Sequence, residues 1–338
     1  MLWGIERFHC WLDNSMSTIA PREVPLGGLR AMTVRRTLPN RERTTIGAWC
    51  FIDHYGPNRV RPLLAGGDSV SLGTDDGTKP AHEGMFVAPH PHTGLQTVTW
   101  LFSGEVEHRD SVGSHQLITP GSVNLMTAGR GIQHSEVSAT FDGWLHGVQL
   151  WVVLPDAHRH QLPFFEHFTA PRVTLGNAEV TVFVGSLGDI AAPPTTFSDL
   201  VGAELNMPAH TTIEVPYRSD FEYGILIDRG HASVNDEDVP PHHLAYVEPG
   251  AGNLTITAHE PTRLLLLGGV PFDESIVMWW NFIARSHDEI VAMREAWQGD
   301  VIDGTTGEGI FGQMSFDGPS IPAPEMPGVR LKSRAPRR

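Results

Sequence analysis

Two short clusters of potential metal ligands mark this chain: His90-Pro91-His92 and, further on, His134-Ser135-Glu136. In an extended strand successive side chains alternate between faces, so residues two apart point the same way. Each cluster therefore aims two ligating groups at one face. Two such strands lying side by side in a small barrel would bring three imidazoles and one carboxylate together. Mixed nitrogen and oxygen donors suit Fe(II), Mn(II), Ni(II) or Cu(II), and an octahedral ion would keep two positions open. Zinc would accept the same four in a closed, structural site. Ligand identity alone does not choose among these metals.

The elements that must position these residues can be read around them. His92 leads into Thr93-Gly94 and then Leu95–Phe102, a β-branched and aromatic run that ends at Ser103-Gly104. His134 follows Ala128-Gly129-Arg130-Gly131, where two glycines allow a tight turn before a strand. With 18 His in the chain, other pairs occur by chance. His158-Arg159-His160, with Glu166 and His167 close behind, lies between Pro155 and Pro163 without a strand pattern and reads as a connection.

Thirty-five Gly and 26 Pro among 338 residues, with short Val/Ile/Thr-rich runs between them, indicate many turns and short strands, hence an all-β barrel or sandwich architecture. The length suits two domains. A formal charge of −15 argues against direct binding to nucleic acid or an anionic membrane. The basic tail from Arg330 to Arg338 reads as a solvated terminus. Cys10 and Cys50 make no disulfide framework, and neither a membrane-spanning run nor a signal-peptide centre is present, so a cytoplasmic protein is expected. Met16 is a possible alternative start, which would leave residues 1–15 peripheral.

The second half repeats the first. Setting Gly104 against Gly230 places Gln96 on Glu222, His92 on Arg218 and His90 on Pro216; setting Gly129 against Gly250 places His134 on Thr255 and Glu136 on Thr257. The second module thus keeps turns and strands but loses all four ligands. Its His242-His243 pair sits in a turn and cannot replace them. Farther on, Ser286 with Glu289 three residues later forms a capping box ahead of an apolar 3–4 repeat, which predicts a helix reaching Trp297. The Pro-rich stretch 318–327 is expected to run extended across a surface.

These segments resemble those of the pirin family, cupins built from two β-barrels. The resemblance rests on Arg35-Arg36-Thr37-Leu38-Pro39, Phe51–Pro57, His90–Thr99, Met126–Glu136, Leu145–Trp151, Trp280-Asn281-Phe282 and Gly318–Pro324. It implies two cupin barrels packed together with a short C-terminal helix. The corresponding division is an extension over 1–21, a metal-binding barrel over 22–155, and a metal-free barrel over 156–338 that carries the helix and Pro-rich tail. It also implies a single iron held by His90, His92, His134 and Glu136. Two departures stand out: Gln96 where family members commonly carry Glu, and a long segment over 59–83 before the first motif. Several pirins and other cupins are quercetin 2,3-dioxygenases. The resemblance therefore implies a metal-dependent dioxygenase taking an enolic, flavonol-like substrate and O2, with Glu136 as the proton acceptor. The alternative is a non-catalytic metal- or redox-sensing pirin that regulates a protein partner. A monomer is expected in either case.

Overall fold

The structure, a computed structural model, describes residues 16–26, 32–60, 84–139, 143–304 and 309–335. Cys10, the start of the chain, the last three residues of the basic tail and all but the first two residues of the 59–83 segment lie outside the described residues. The expected all-β pair of cupin barrels is present. In the first, a seven-stranded sheet runs in the order Phe164–Thr169, Ser122–Thr127, Leu95–Ser103, Gly143–Val153, Trp49–Val60, Thr33–Leu38, Arg22–Pro25. A four-stranded sheet, Phe86–His92, Ile132–Ser138, Val106–Asp110, His115–Ile118, shares an apolar cluster with it that includes Val60, Val87, Leu101, Val106 and Leu145.

The second barrel has the same strand order. Its long sheet places Leu244–Val247, Glu222–Arg229, Thr262–Gly269 and Leu200–Met207 in the equivalent positions, and its short sheet runs Thr211–Glu214, Thr255–Ala258, Ala232–Val234, Glu237–Val239. Each long sheet is finished by a strand from outside its own expected segment. Met16–Ile19 pairs with Leu244–Val247 of the second barrel, and Phe164–Thr169 pairs with Ser122–Thr127 of the first. Sheet membership therefore crosses the expected boundaries at 21/22 and 155/156, and Met16–Ile19 is part of a sheet.

The repeat holds strand for strand but not residue for residue. Pro216 and Arg218 lie past the end of Thr211–Glu214, and Arg218 is exposed and paired with Asp199 and Asp220. Thr257 faces outward, where its hydroxyl meets that of Thr212 at 3.0 Å. The inward positions are Ile213, Val234 and Ile256, within an apolar core that fills the second barrel. The expected matches of Arg218 to His92 and of Thr257 to Glu136 are thus corrected: the interior positions of this barrel are held by hydrocarbon side chains. Turn glycines leave the parity of the following strand open, so matching Gly129 to Gly250 does not fix which residues face inward.

Between the barrels lies the largest core cluster, joining Trp49, Leu150 and Trp100 of the first to Phe183, Leu226, Leu265 and Leu267 of the second. Trp49 is fully buried there, and its indole N–H lies 3.1 Å from the Val201 carbonyl and 3.2 Å from that of Gly268. A polar node sits in the same interface. Asp228 Oδ1 lies 2.8 Å from His54 Nε2 and 2.7 Å from His146 Nε2, while Arg263 Nε donates to Asp228 Oδ2 at 2.6 Å. Burial raises the Asp228 carboxyl, and its hydrogen bonds with His146 and His54 outweigh that, holding it well below the usual range. Burial lowers the His54 imidazole to about 4 against the pull of Asp228.

The helix His287–Trp297 begins as its sequence predicts, with Ser286 Oγ accepting from the Glu289 amide at 3.2 Å. The reciprocal half of the box is altered: the Glu289 carboxylate accepts from the Arg285 amide and from Arg159. The Pro-rich stretch then runs back across the first barrel, bonding Trp297 Nε1 to the Ile321 carbonyl and the Ile321 amide to the Pro89 carbonyl at 2.8 Å. This clamps the strand that carries the first ligand cluster.

Two measurements check this architecture. Trp49→Ala should lower unfolding free energy by about 3–5 kcal/mol, the range for deleting a buried Trp, measured by urea denaturation. Stability should also fall as pH drops from about 6.5 to about 4. In that window the unfolded chain takes up a proton at residue 54 that the folded chain refuses. Thermal melts of His54→Gln should show a flatter decline than wild type across the same window, from a lower starting stability.

Candidate metal centre

The two clusters meet because their strands are neighbours. Phe86–His92 and Ile132–Ser138 pair antiparallel with His90 directly opposite His134 and His92 opposite Ile132. Phe86–His92 is an edge strand, which is why Pro89 and Pro91 are tolerated within it. The register shifts between His134 and Glu136, so that Glu136 lies opposite Val87. On the other side, Val106–Asp110 places Asp110 opposite His134 and His108 opposite Glu136. The turn into the second cluster needs its first glycine: Gly129 has φ 51°, and a Cβ there would stand 2.1 Å from the Gln161 carbonyl oxygen.

Ring centroids of His90, His92 and His134 are 4.4–5.0 Å apart, and their ligating atoms all lie within 4.8 Å of one another. All three rings are buried, as is Glu136. Burial lowers the His90 imidazole to about 4 and those of His92 and His134 well below their ordinary value, so all three are neutral, the form that ligates a metal. His90 Nδ1 donates to the Ala88 carbonyl at 2.9 Å, which leaves Nε2 as its lone-pair nitrogen. His92 Nδ1 and His134 Nε2 are buried with no hydrogen-bond partner among the described residues. An unmatched buried polar atom costs about 1–3 kcal/mol, so converging nitrogens of this kind fit a cation.

Glu136 does not join the three-histidine group within that distance; it forms an overlapping group with His134 and His108. Its Oε1 lies 2.9 Å from Thr99 Oγ1, which lies equally far from Gln149 Oε1, so the hydroxyl donates to one of the two at a time. Burial raises the Glu136 carboxyl against the pull of His108 and Thr99. The buried Tyr55 hydroxyl, also without a partner among the described residues, is raised by burial and by the charge of Glu136.

Sequence reasoning missed His108. Its signal was the alternation His108-Arg109-Asp110 on a strand, which sends His108 and Asp110 to one face. It also missed His54, His146 and Asp228, whose ligand atoms converge as tightly. That group is already matched in charge: Arg263 binds Asp228 and approaches His146 Nδ1 at 3.2 Å, and Arg35 approaches His54 Nε2 at 3.4 Å. Two guanidiniums oppose a cation there. His158 and His160 stand on a turn, and His167 lies across from Asn124 at 2.6 Å, apart from the centre. Gln96 donates to Thr127 Oγ1 and to the Thr195 carbonyl, so at this position the amide ties the barrel strand to the loop between Ile190–Ala191 and Leu200–Met207 of the second barrel.

Fold and site define a two-barrel cupin with a buried three-histidine cluster in its N-terminal barrel. The chain belongs to the pirin family: residues 30–152 match the Pirin model, and 202–302 match the Pirin C-terminal cupin domain. A Pseudomonas aeruginosa relative provisionally named quercetin 2,3-dioxygenase is 38% identical over 317 residues, covering 93% of this chain and 92% of its own. A pirin-like protein of Caulobacter vibrioides is 30% identical over 78% of this chain and 88% of its own. Among solved structures, a quercetin 2,3-dioxygenase from Acinetobacter baumannii superposes with TM-score 0.81 at 35% identity, covering 95% of this chain and 97% of its own. An Escherichia coli pirin in complex with nickel(II) shares the fold, with TM-score 0.56 at 16% identity over 76% of this chain and all of its own. Among the described residues, no helix is long and apolar enough to cross a membrane.

His92→Ala should abolish stoichiometric metal binding by elemental analysis while circular dichroism keeps the β signature. The apolar cores of both barrels are complete without it.

Proposed function

We propose that this protein is a metal-dependent dioxygenase of the quercetin 2,3-dioxygenase type, with one transition ion held by His90, His92, His134 and Glu136. The observation that carries this reading is the set of neutral, buried imidazoles with unmatched nitrogens beside a carboxyl of raised pKa. The names of the Pseudomonas and Acinetobacter relatives support the same reaction class. Fe(II) is the ion we favour, and Mn, Ni, Cu and Zn are its competitors. When bound, the ion supplies a Lewis acid with open coordination positions.

The chain's own residues do the rest. Glu136, raised by burial, is a stronger base than an exposed carboxylate and takes the hydroxyl proton of an enolic or flavonol-like substrate. The Thr99 hydroxyl alternates between Glu136 and Gln149, so the carboxylate keeps a hydrogen bond while its proton content changes. The buried walls around the centre keep bulk water from competing for that proton.

Metal-loaded protein should consume O2 with quercetin, followed with an oxygen electrode. Glu136→Gln should lower turnover about 10²–10⁴-fold, the range for loss of a general base, with a much smaller loss of bound metal by elemental analysis. No uptake with Fe, Mn, Ni or Cu and any flavonol would instead assign the site to metal sensing and regulation of a protein partner.

A further inference from the structure

Each ligating imidazole needs its second nitrogen held, because that bond decides which nitrogen carries the proton. His90 is held by the Ala88 carbonyl, and His92 by the Asn281 backbone. His134 has neither. Its Nδ1 lies 3.4 Å from Nδ1 of His108, whose Nε2 lies 3.1 Å from Asp110 Oδ2. Asp110 Oδ1 in turn accepts the amides of Val112 at 3.0 Å and Ser114 at 2.9 Å. Phe165 stacks on the His108 ring at 4.6 Å, fixing its plane. All members of the chain from Asp110 to His134 are buried.

One proton arrangement satisfies this chain when each ring carries a single proton. The Asp110 carboxylate only accepts, so His108 presents N–H at Nε2 and a lone pair at Nδ1. His134 must then donate its Nδ1–H to that lone pair, which leaves Nε2 bare. Nε2 is the buried atom of His134 that has no partner among the described residues. We propose that Asp110 and His108 are positioning residues that relay a fixed orientation from two backbone amides to His134, locking it in the Nδ1–H tautomer with its Nε2 lone pair facing the metal centre. The inference rests on the metal reading above for its purpose, but the tautomer itself is a property of the metal-free chain.

Two readouts test it separately. Long-range ¹H–¹⁵N correlation spectra of metal-free protein should show His134 as the Nδ1–H tautomer. Asp110→Asn should reverse it, because the two backbone amides hold the Asn oxygen and turn its NH₂ toward His108. Competition of nickel(II) between protein and chelator should then show affinity about 10–100-fold weaker in Asp110→Asn and His108→Leu, with one ion still bound at saturation. His134 found as Nε2–H in the wild type, or unchanged tautomer and affinity in Asp110→Asn, would overturn the relay. So would loss of all binding in a folded His108→Leu, which would make His108 a direct ligand. A wild type that shows the expected tautomer and its reversal but binds no metal would sustain the relay and remove the metal reading alone.

Discussion

The pairing of His90 with His134 across two strands is the constraint on which the site depends. A pleated sheet sends every second side chain to the same face, so once these residues are opposite each other, His92 and Glu136 have their faces set as well. A slip of one residue would turn the cluster out of the barrel. Much of the surrounding structure guards against such a slip. Ile321 bonds the Pro89 carbonyl, Ile283 bonds the Thr93 carbonyl at 3.0 Å, and Gln133 reaches the Gly312 carbonyl at 2.7 Å. Segments around Ile283, Gly312 and Ile321, remote in sequence, thus hold the strands that bear the candidate metal centre.

The two barrels show how one architecture serves two ends. Strand order is shared throughout, yet the first encloses His90, His92, His108, His134 and Glu136, and the second encloses Ile213, Val234 and Ile256 at its matching strands. Burying unmatched imidazoles is unfavourable, whereas burying isoleucine and valine contributes about 1.5–3 kcal/mol per side chain. The apolar second barrel and the large core it shares with the first offset the cost of a polar interior elsewhere. Fold alone would not separate the two; the side chains inside do.

The inter-barrel node follows a different logic from the candidate metal centre, although both gather histidines around a carboxylate. At Asp228, the Arg263 guanidinium neutralises the carboxylate and reaches His146 Nδ1, while His54 and His146 each turn Nε2 to the same carboxylate, so the cluster binds strands of the two barrels together. At His134, Nε2 is left without a partner among the described residues. The difference between a structural and a ligand-binding histidine lies in what its second nitrogen meets.

Read alone, the sequence determined what is local. The i, i+2 spacing of His90 with His92 and of His134 with Glu136, the turn at Gly129, the cap at Ser286 and the recurrence of strands are all properties of short segments, governed by backbone periodicity and side-chain capping. It could not determine what depends on partners distant in the chain. The residue facing Glu136 is His108, a relation set by strand pairing and invisible in either motif. The parity of the second barrel's strands follows from which face its core buries, so an alignment on glycines put Thr255 and Thr257 inside when Ile256 occupies that place. Met16–Ile19 and Phe164–Thr169 complete the other barrel's sheets because an unpaired strand edge is satisfied by whichever strand folding brings to it. Periodicity is written along the chain; register, parity and the second neighbour of an imidazole exist only once the strands have met.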